Sequence, residues 1–532
     1  MNQRRLFFWV LSSALAGFLF GFDAVVISGA EKTIQELWDL NDSQHGWAVA
    51  AALWGTVVGS LLGGVPSDRF GRKKTLMAIG VLYLISSIWS ALAGGLSTFI
   101  IARFLGGLGV GVSTVVGPMY ISEIAPAEKR GRLAGLFQFN IVFGVFIAFF
   151  SNALFGNILG ESAWRWMLGI EALPAIIYVF LCFTIPESPR WLISKKGDRE
   201  GGKKILRMAR ENASEEELEK LVCEIEEGSG TVEKKAFSLS RLKVPLMLAF
   251  LIAFFNQLSG INVILYFAPR LLGLAGIDNP LMASISLGIV NLAFTFVGLW
   301  LIDRLGRKQL LLIGSFGYII SLGICAWAFL SMPAFKVVSS AIDLEGAAAK
   351  VEKLATANRT VSKEEKAQAQ NQFKEAKVKL ASVTAIDGYE GEVASEVDAL
   401  STEQAKELAS STKEEASKIL GGKSTLVLLC LLGFIAAHAV GQGAVIWVFI
   451  AEIFPTVSRG LGQSFGCGTH WVLAALLTQF FPIAIGKFDA GYIFAFFAFM
   501  MVLQLVWVLV MVPETKGVRL EDLEKRLTGK EA

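Results

Sequence analysis

The chain has 532 residues, 54% of them hydrophobic and 18% charged, where soluble domains carry roughly a quarter. A net charge of +3 gives no electrostatic reason for nucleic-acid binding, and no nucleophile–base pair, metal cluster or complete nucleotide loop points to an enzyme or a cofactor. Composition therefore excludes a soluble enzyme and leaves a chain whose solvent is largely lipid.

A helix needs about 20 apolar residues to cross roughly 30 Å of hydrocarbon. Twelve such stretches follow one another: Phe7–Ala30, His45–Pro66, Thr75–Gly95, Thr98–Ile121, Leu133–Gly156, Trp166–Ile185, Val244–Leu272, Leu281–Ile302, Gln309–Leu330, Ser424–Ala451, Leu461–Ile485 and Gly491–Val512. The first is too long and too rich in polar positions for a cleaved signal peptide, so it belongs to the mature protein. Arg69, Arg72, Lys73 and Lys74, then Lys129, Arg130 and Arg132, then Arg304, Arg307 and Lys308, then Arg459, then Lys516 and Arg519 fall at alternate ends of the spans. Lysine and arginine favour the cytoplasmic face, which places both termini inside and the chain in the inner membrane. The five cysteines show no metal-ligand spacing and read as structural.

The spans repeat in order. "DRFGRKK" from Asp68 follows the second and "DRLGRK" from Asp303 the eighth; "SEIAPAEKRG" from Ser122 follows the fourth and "AEIFPTVSRG" from Ala451 the tenth; "PESPRWL" from Pro186 follows the sixth and "PETKG" from Pro513 the twelfth. Three paired motifs in one order mean a duplicated six-span unit, the construction that lets two halves rock about a midplane site. Charges at these repeats are expected to pair: Glu123, Arg130 and Glu187 with Arg69 or Arg72, and Glu452, Arg459 and Glu514 with Arg304 or Arg307. Such pairs would latch the cytoplasmic end of the bundle.

Taken as a set, the two D-R-x-G-R-K loops, PESPRWL, NQLSGIN, the E-I-x-P-x-x-x-R-G pair and PETKG resemble the sugar porter family of the major facilitator superfamily, most closely its bacterial xylose/proton and hexose/proton symporters. The resemblance covers both membrane halves. It implies an all-α fold of twelve transmembrane helices in two pseudo-symmetric halves, with a monosaccharide and a proton as partners, and acting as a monomer. The divisions expected are a first half at 1–189, a cytoplasmic helical connector at 190–243, a second half at 244–330 and 423–515 interrupted by an extracytoplasmic helical insert at 331–422, and a cytoplasmic tail at 516–532.

The insert falls where the resembling family has a short loop. Capping-box patterns at Ser362/Glu365, Ser401/Gln404 and Ser411/Glu414 predict two or three amphipathic helices there. "NRT" at Asn358 fits a glycosylation acceptor, but nothing else indicates a secretory route. Either a bland insertion or an outer contact fits the composition. In span four "GGLGVG" from Gly106 reads as close helix packing.

Asp23 lies in the apolar run "FLFGFDAVVISG" of span one. A charge at a helix centre costs roughly 2.5–3.5 kcal/mol on insertion scales, so it needs a partner and marks a function. The resemblance supplies Arg103 in span four, and Glu171 in span six as a second acid able to relay a proton. Beside Arg103 the ionised carboxylate is favoured; apart from it, in a dry site, the neutral acid is. A motion that changes the pair distance thereby ties proton binding to conformation, and a proton moving down about 100 mV supports a sugar gradient on the order of fortyfold. A static ion pair tying helices together is the alternative.

By the resemblance, sugar contacts fall on Gln138, Gln257, Asn262, Asn291, Trp447 and Trp471, with Phe20 and Tyr266 completing the wall. Carboxamides donate and accept at once, as adjacent hydroxyls require, and an indole offers its face to the C–H side of a pyranose. Asn256 stands where the family has a glutamine, Val145 replaces a polar residue, and His470 stands where an amide is usual; these departures bear on which sugar is carried. The function implied is a proton-coupled symporter of a monosaccharide or related polyol, with a facilitator or a non-transporting sugar receptor as alternatives.

Overall fold

The computed structural model describes residues 2–126, 129–210, 214–230, 242–356, 362–386, 389–391, 400–454, 458–518, 523 and 527. Asn358 lies outside the described residues, and so do the side chains of Arg130 and Arg459. No strand occurs among the described residues.

The first half runs α1 (Asn2–Leu37), α2 (Asp42–Leu62), α3 (Gly64–Phe70), α4 (Arg72–Leu92), α5 (Leu96–Ile124), α6 (Arg130–Ile158), α7 (Ala163–Gly169) and α8 (Ala172–Thr184). A connector follows with α9 (Pro189–Trp191), α10 (Arg199–Ala209) and α11 (Glu215–Gly230). The second half begins with α12 (Lys243–Leu258), α13 (Ile261–Tyr266), α14 (Ala268–Leu274), α15 (Pro280–Leu305) and α16 (Arg307–Ser331). Then come α17 (Pro333–Thr356), α18 (Lys363–Thr384) and α19 (Thr402–Leu420) of the insert, and α20 (Gly422–Val440), α21 (Gln442–Ile453), α22 (Arg459–Lys487) and α23 (Ala490–Val510) close the second half. Twelve spans among the described residues are long and apolar enough to cross a membrane, from Arg4–Leu37 to Ala490–Val510. We call the end that carries the D-R-x-G-R-K loops the basic end and the opposite one the insert end.

Within lipid there is no hydrophobic drive between helices, so close approach comes from small residues. Gly21 of α1 lies so near α6 that a Cβ there would sit 1.8 Å from the Ile141 carbonyl oxygen, and one on Gly107 of α5 would meet the Ala52 carbonyl of α2 at 1.9 Å. The glycines of "GGLGVG" thus serve as the sequence pattern predicts.

Three of the expected continuous spans are broken. Span seven divides into α12, α13 and α14, the first break falling at Gly260, whose φ of +84° only glycine adopts freely. Span ten divides at Gly441 between α20 and α21, and span six breaks between α7 and α8 at Ile170–Glu171. Breaks inside a membrane helix free backbone groups and re-aim side chains, and they are tolerated only where they line protein or a cavity.

The connector is a small helical unit on the basic end. Lys203 hydrogen-bonds Glu215 and Glu219, holding both carboxyls below their usual range, and Trp191 donates its indole N–H to the Asp68 carbonyl at 2.8 Å. The insert is a three-helix bundle. Ser362 and Ser401 form full capping boxes at the starts of α18 and α19, whereas Ser411 lies inside α19 and bonds back to the Leu408 carbonyl, so that pattern starts no helix.

At the insert end the halves meet closely: Asn279 donates to Asn157 at 3.3 Å, a Cβ on Gly46 would meet the Gln479 carbonyl at 1.9 Å, and Trp54 donates to the Gln479 side chain at 2.8 Å. Among the described residues no ion pair is seen between the halves at the basic end; there Ser60 of α2 and Cys467 of α22 come within hydrogen-bonding reach. Substituting Gly21→Ala forces the α1–α6 backbones apart and is expected to destabilise the solubilised protein by about 1–3 kcal/mol. Gly64→Ala, where nothing lies within 4 Å, should leave the melting temperature unchanged in the same thermal-unfolding assay.

Candidate functional site

The repeated motifs build the same cluster twice. In the first half, Gly71 at φ +92° starts α4 so closely against Glu187 that a Cβ would meet its Oε2 at 2.3 Å. Glu187 then accepts the backbone N–H of Arg72 at 2.8 Å and of Lys73 at 3.1 Å, a carboxylate on the orphan donors of a helix N-terminus. Arg72 grips Glu123 in a fork, Nε to Oε2 and Nη2 to Oε1 both at 2.9 Å. In the second half Gly306 has φ +95°, Glu514 accepts the N–H of Arg307 at 2.9 Å, and Arg307 forks onto Glu452 at 3.0 and 2.7 Å.

The arginine that pairs is thus the one after the glycine, Arg72 and Arg307. Arg69 and Arg304 instead lie over the rings of Phe70 and Trp300, at 5.4 and 3.9 Å from the centroids. Each cluster also lies wholly within one half. Its ion pairs therefore fasten helices of the same half, and need not break when the halves move as rigid bodies.

In the first half's interior, Asp23 of α1 and Arg103 of α5 are both buried. Arg103 Nη1 donates to Asp23 Oδ1 at 2.5 Å and Nη2 to the Asp23 carbonyl at 2.9 Å. Gly106, one turn beyond Arg103, lets α5 pack against α4, where a Cβ would meet Ser86 Oγ at 2.4 Å. Glu171, buried at the α7–α8 break, comes within hydrogen-bonding reach of the Asp23 carboxyl. Asp23 Oδ2 and Glu171 Oε1 have no donor among the described residues, so a hydrogen shared between the two carboxyls would satisfy both. Tyr266 of α13 lies within electrostatic reach of Asp23 and Arg103, which sets the charged cluster against the second half.

The amides gather at the α12–α13 break. Gln257 Nε2 donates to Asn256 Oδ1 at 3.0 Å and lies 3.1–3.2 Å from the ring nitrogens of His470, while Asn262 donates to Gln257 Oε1 at 2.9 Å. His470 is flanked by Trp447 and Trp471 at ring distances of 5.0 and 4.7 Å, and Phe20 meets Trp471 edge-on at 5.6 Å. Trp447 stays 37% exposed. Gln138 and Asn291 make no side-chain hydrogen bond among the described residues. Amides with donors and acceptors to spare suit a ligand rich in hydroxyls. Val145 is buried in the apolar core instead.

One cluster escapes the sequence reading. Glu31, 1% exposed, accepts Arg270 Nε and Nη2 at 3.0 and 2.8 Å and lies 2.8 Å from His45 Nε2; Arg270 also donates to Gln35 at 2.6 Å. It joins α1 and α2 of one half to α14 of the other at the insert end. Span one was expected to stop at Ala30, which left Glu31 outside the membrane. Arg270, a charge within the apolar span "YFAPRLL", was the signal available.

Duplicated six-helix halves, broken helices and a buried acid–guanidinium pair define a membrane transporter with the major facilitator fold. The chain belongs to the family described as "Sugar (and other) transporter", whose pattern matches residues 9–348 and 408–527. It is 30% identical over 530 positions to the arabinose-proton symporter of Bacillus subtilis (strain 168), covering 97% of this chain and 93% of that protein. It is 28% identical over 564 positions to the D-xylose-proton symporter of Escherichia coli (strain K12), covering 98% and 96%. The inward-open structure of the E. coli xylose transporter XylE superposes with a TM-score of 0.72 at 28% identity, covering 98% of this chain and 99% of that one.

Removing one partner of a buried charge pair leaves the other without compensation, at a cost of about 3–5 kcal/mol. Arg270→Gln is therefore expected to lower the melting temperature clearly. The double variant Glu31→Gln with Arg270→Gln should recover part of the loss, a coupling read directly from the four-member thermal-unfolding cycle.

Proposed function

We propose that the chain is a proton-coupled symporter that imports a monosaccharide or related polyol by alternating access. The observation that carries this reading is the Asp23–Arg103 pair, buried in the first half with Glu171 beside it and set against Tyr266 of the sugar-facing break. The similarity to the arabinose-proton and D-xylose-proton symporters supports the proton and the sugar. Asp23 and Glu171 hold the proton; Arg103 is the group whose approach and withdrawal decides whether it stays.

Phe20 and Asp23 lie three residues apart on α1, on neighbouring turns of one face. Phe20 touches Trp471, which belongs to the sugar wall. Sugar pressing on that wall and a proton on Asp23 thus act on the same helix, and reciprocity of binding free energies makes each favour the other. Gln138, Asn256, Gln257, Asn262, Asn291 and His470 bind hydroxyls, and Phe20, Tyr266, Trp447 and Trp471 form the walls.

Positive-inside charge supports an orientation with the basic end and both termini in the cytoplasm and the insert on the outer side of the cell's inner membrane; the protein acts as a monomer surrounded by lipid. The likeness to an inward-open transporter supports a state that opens at the basic end. The two motif clusters keep each half rigid while it moves.

In proteoliposomes, Asp23→Asn is expected to retain sugar counterflow and lose accumulation against a gradient. Accumulation that persists in the variant, or wild-type uptake insensitive to a protonophore, would show a facilitator whose Asp23 is structural. Binding with no flux at all would show a receptor. Gln257→Ala should raise the half-saturating sugar concentration at least tenfold with pentose or hexose substrates, since the partners of two amides are lost together.

A further inference from the structure

We infer that the insert is an intramolecular brace: α17 reaches from the second half to the end of α1 and holds the insert end of the transporter closed. The inference rests on the alternating-access reading above. Three observations carry it, concerning the root of the insert, its body and its tip.

At the root, one residue, Met332, separates α16 from α17, and one, Gly421, separates α19 from α20. Phe335 of α17 packs on Phe329 of α16 with ring centroids 4.7 Å apart, and Phe329 stacks on Phe494 of α23 at 5.6 Å. Short joints locked by aromatic packing make the insert turn with the second half. The body is stiff, since Ala341, Leu344, Ala348, Leu380, Ala405 and Ala416 are buried among its three helices.

The tip grips the other half. Helix α1 has no basic residue in its last turn, so its final carbonyls lack the cation that such an end favours. Lys353 of α17 supplies it, donating to the Glu36 and Leu37 carbonyls at 2.6 and 2.7 Å. Lys350 pairs at 2.8 Å with Asp39, which turns the chain between α1 and α2 at φ +51°. Both lysines lie in the stretch between 348 and 408 that the family pattern does not match.

From Pro333 to Lys350 the helix is about 26 Å long. A rotation of about 10° at the root carries the lysines about 4–5 Å, more than a hydrogen bond spans. Opening the insert end must therefore release them. Exposed pairs of this kind shift an equilibrium by about 1.4- to 5-fold each, so the brace biases the two states without locking either.

Hydrogen–deuterium exchange on the full chain in lipid nanodiscs tests this. In the Lys350→Glu, Lys353→Met variant, exchange is expected to rise severalfold in α1–α2 and α14 at the insert end and to fall at the basic-end segments around α3 and α9, the opposite signs that a shift between states produces. Exchange that changes only around residues 36–42, or nowhere, would overturn the brace. Swapping the pair, Lys350→Asp with Asp39→Lys, should restore the wild-type pattern; a swap that behaves like the disrupted variant would also overturn it. Exchange needs no flux, so wild-type protein that fails to accumulate sugar would count against the symport reading alone.

Discussion

A carboxylate held against a guanidinium, out of reach of water, is the interaction on which the rest of the structure depends. Lipid and protein interior both refuse an isolated charge, so Asp23 and Arg103 can exist only together or with one of them changed. Arg103 is the fixed member, because a guanidinium keeps its proton in any protein environment. All adjustment falls on the acids. Glu171 at its helix break is the second such acid, buried within hydrogen-bonding reach of the Asp23 carboxyl, and in the proposed symport it shares the proton.

Duplication makes the departures from symmetry informative. Tyr83 stands eleven residues past Arg72, and Tyr318 eleven past Arg307, so the two tyrosines are counterparts. Tyr83 lies in the neighbourhood of Asp23, Arg103 and Glu171, whereas the Tyr318 hydroxyl meets His438 Nδ1 at 2.7 Å. Deep in the second half the polar groups are neutral: Gln442 donates to Gln504 at 2.5 Å and Gln504 to Ser315 at 2.8 Å. The two frames are alike, but the buried acid–guanidinium pair lies deep in one, while the corresponding depth of the other holds the Gln442–Gln504–Ser315 chain. The basic-end clusters stayed alike in both because each does the same mechanical work.

Much of this was legible in the residues and some was not. Twelve spans, the duplication and the acid in span one follow from hydropathy, paired motifs and the cost of a charge in hydrocarbon. Broken helices were less visible: hydropathy sees an apolar run through "NQLSGIN" and cannot see that Gly260 takes a left-handed conformation there. Choosing Arg72 over Arg69 depends on the glycine turn aiming one guanidinium inward and leaving the other over Phe70, a direction that a list of charges does not contain. The Glu31–His45–Arg270 cluster was hidden because its members are far apart in the chain and Glu31 sits just past the point where the apolar run weakens.

The two ends of the molecule obey different constraints, and the difference says how motion is shared out. At the basic end the described charges satisfy one another inside each half, so separation of the halves strands none of those pairs. At the insert end Glu31 accepts across the boundary from Arg270, and Lys350 and Lys353 cross it as well. Opening there costs desolvated, paired charge unless water reaches Glu31 as Arg270 leaves. Parting of the halves there releases a buried acid beside a histidine from its cation. The cost of parting the halves at the insert end is therefore electrostatic, while apolar contacts nearer the basic end, such as Phe139 against Phe296, separate with no charge to strand.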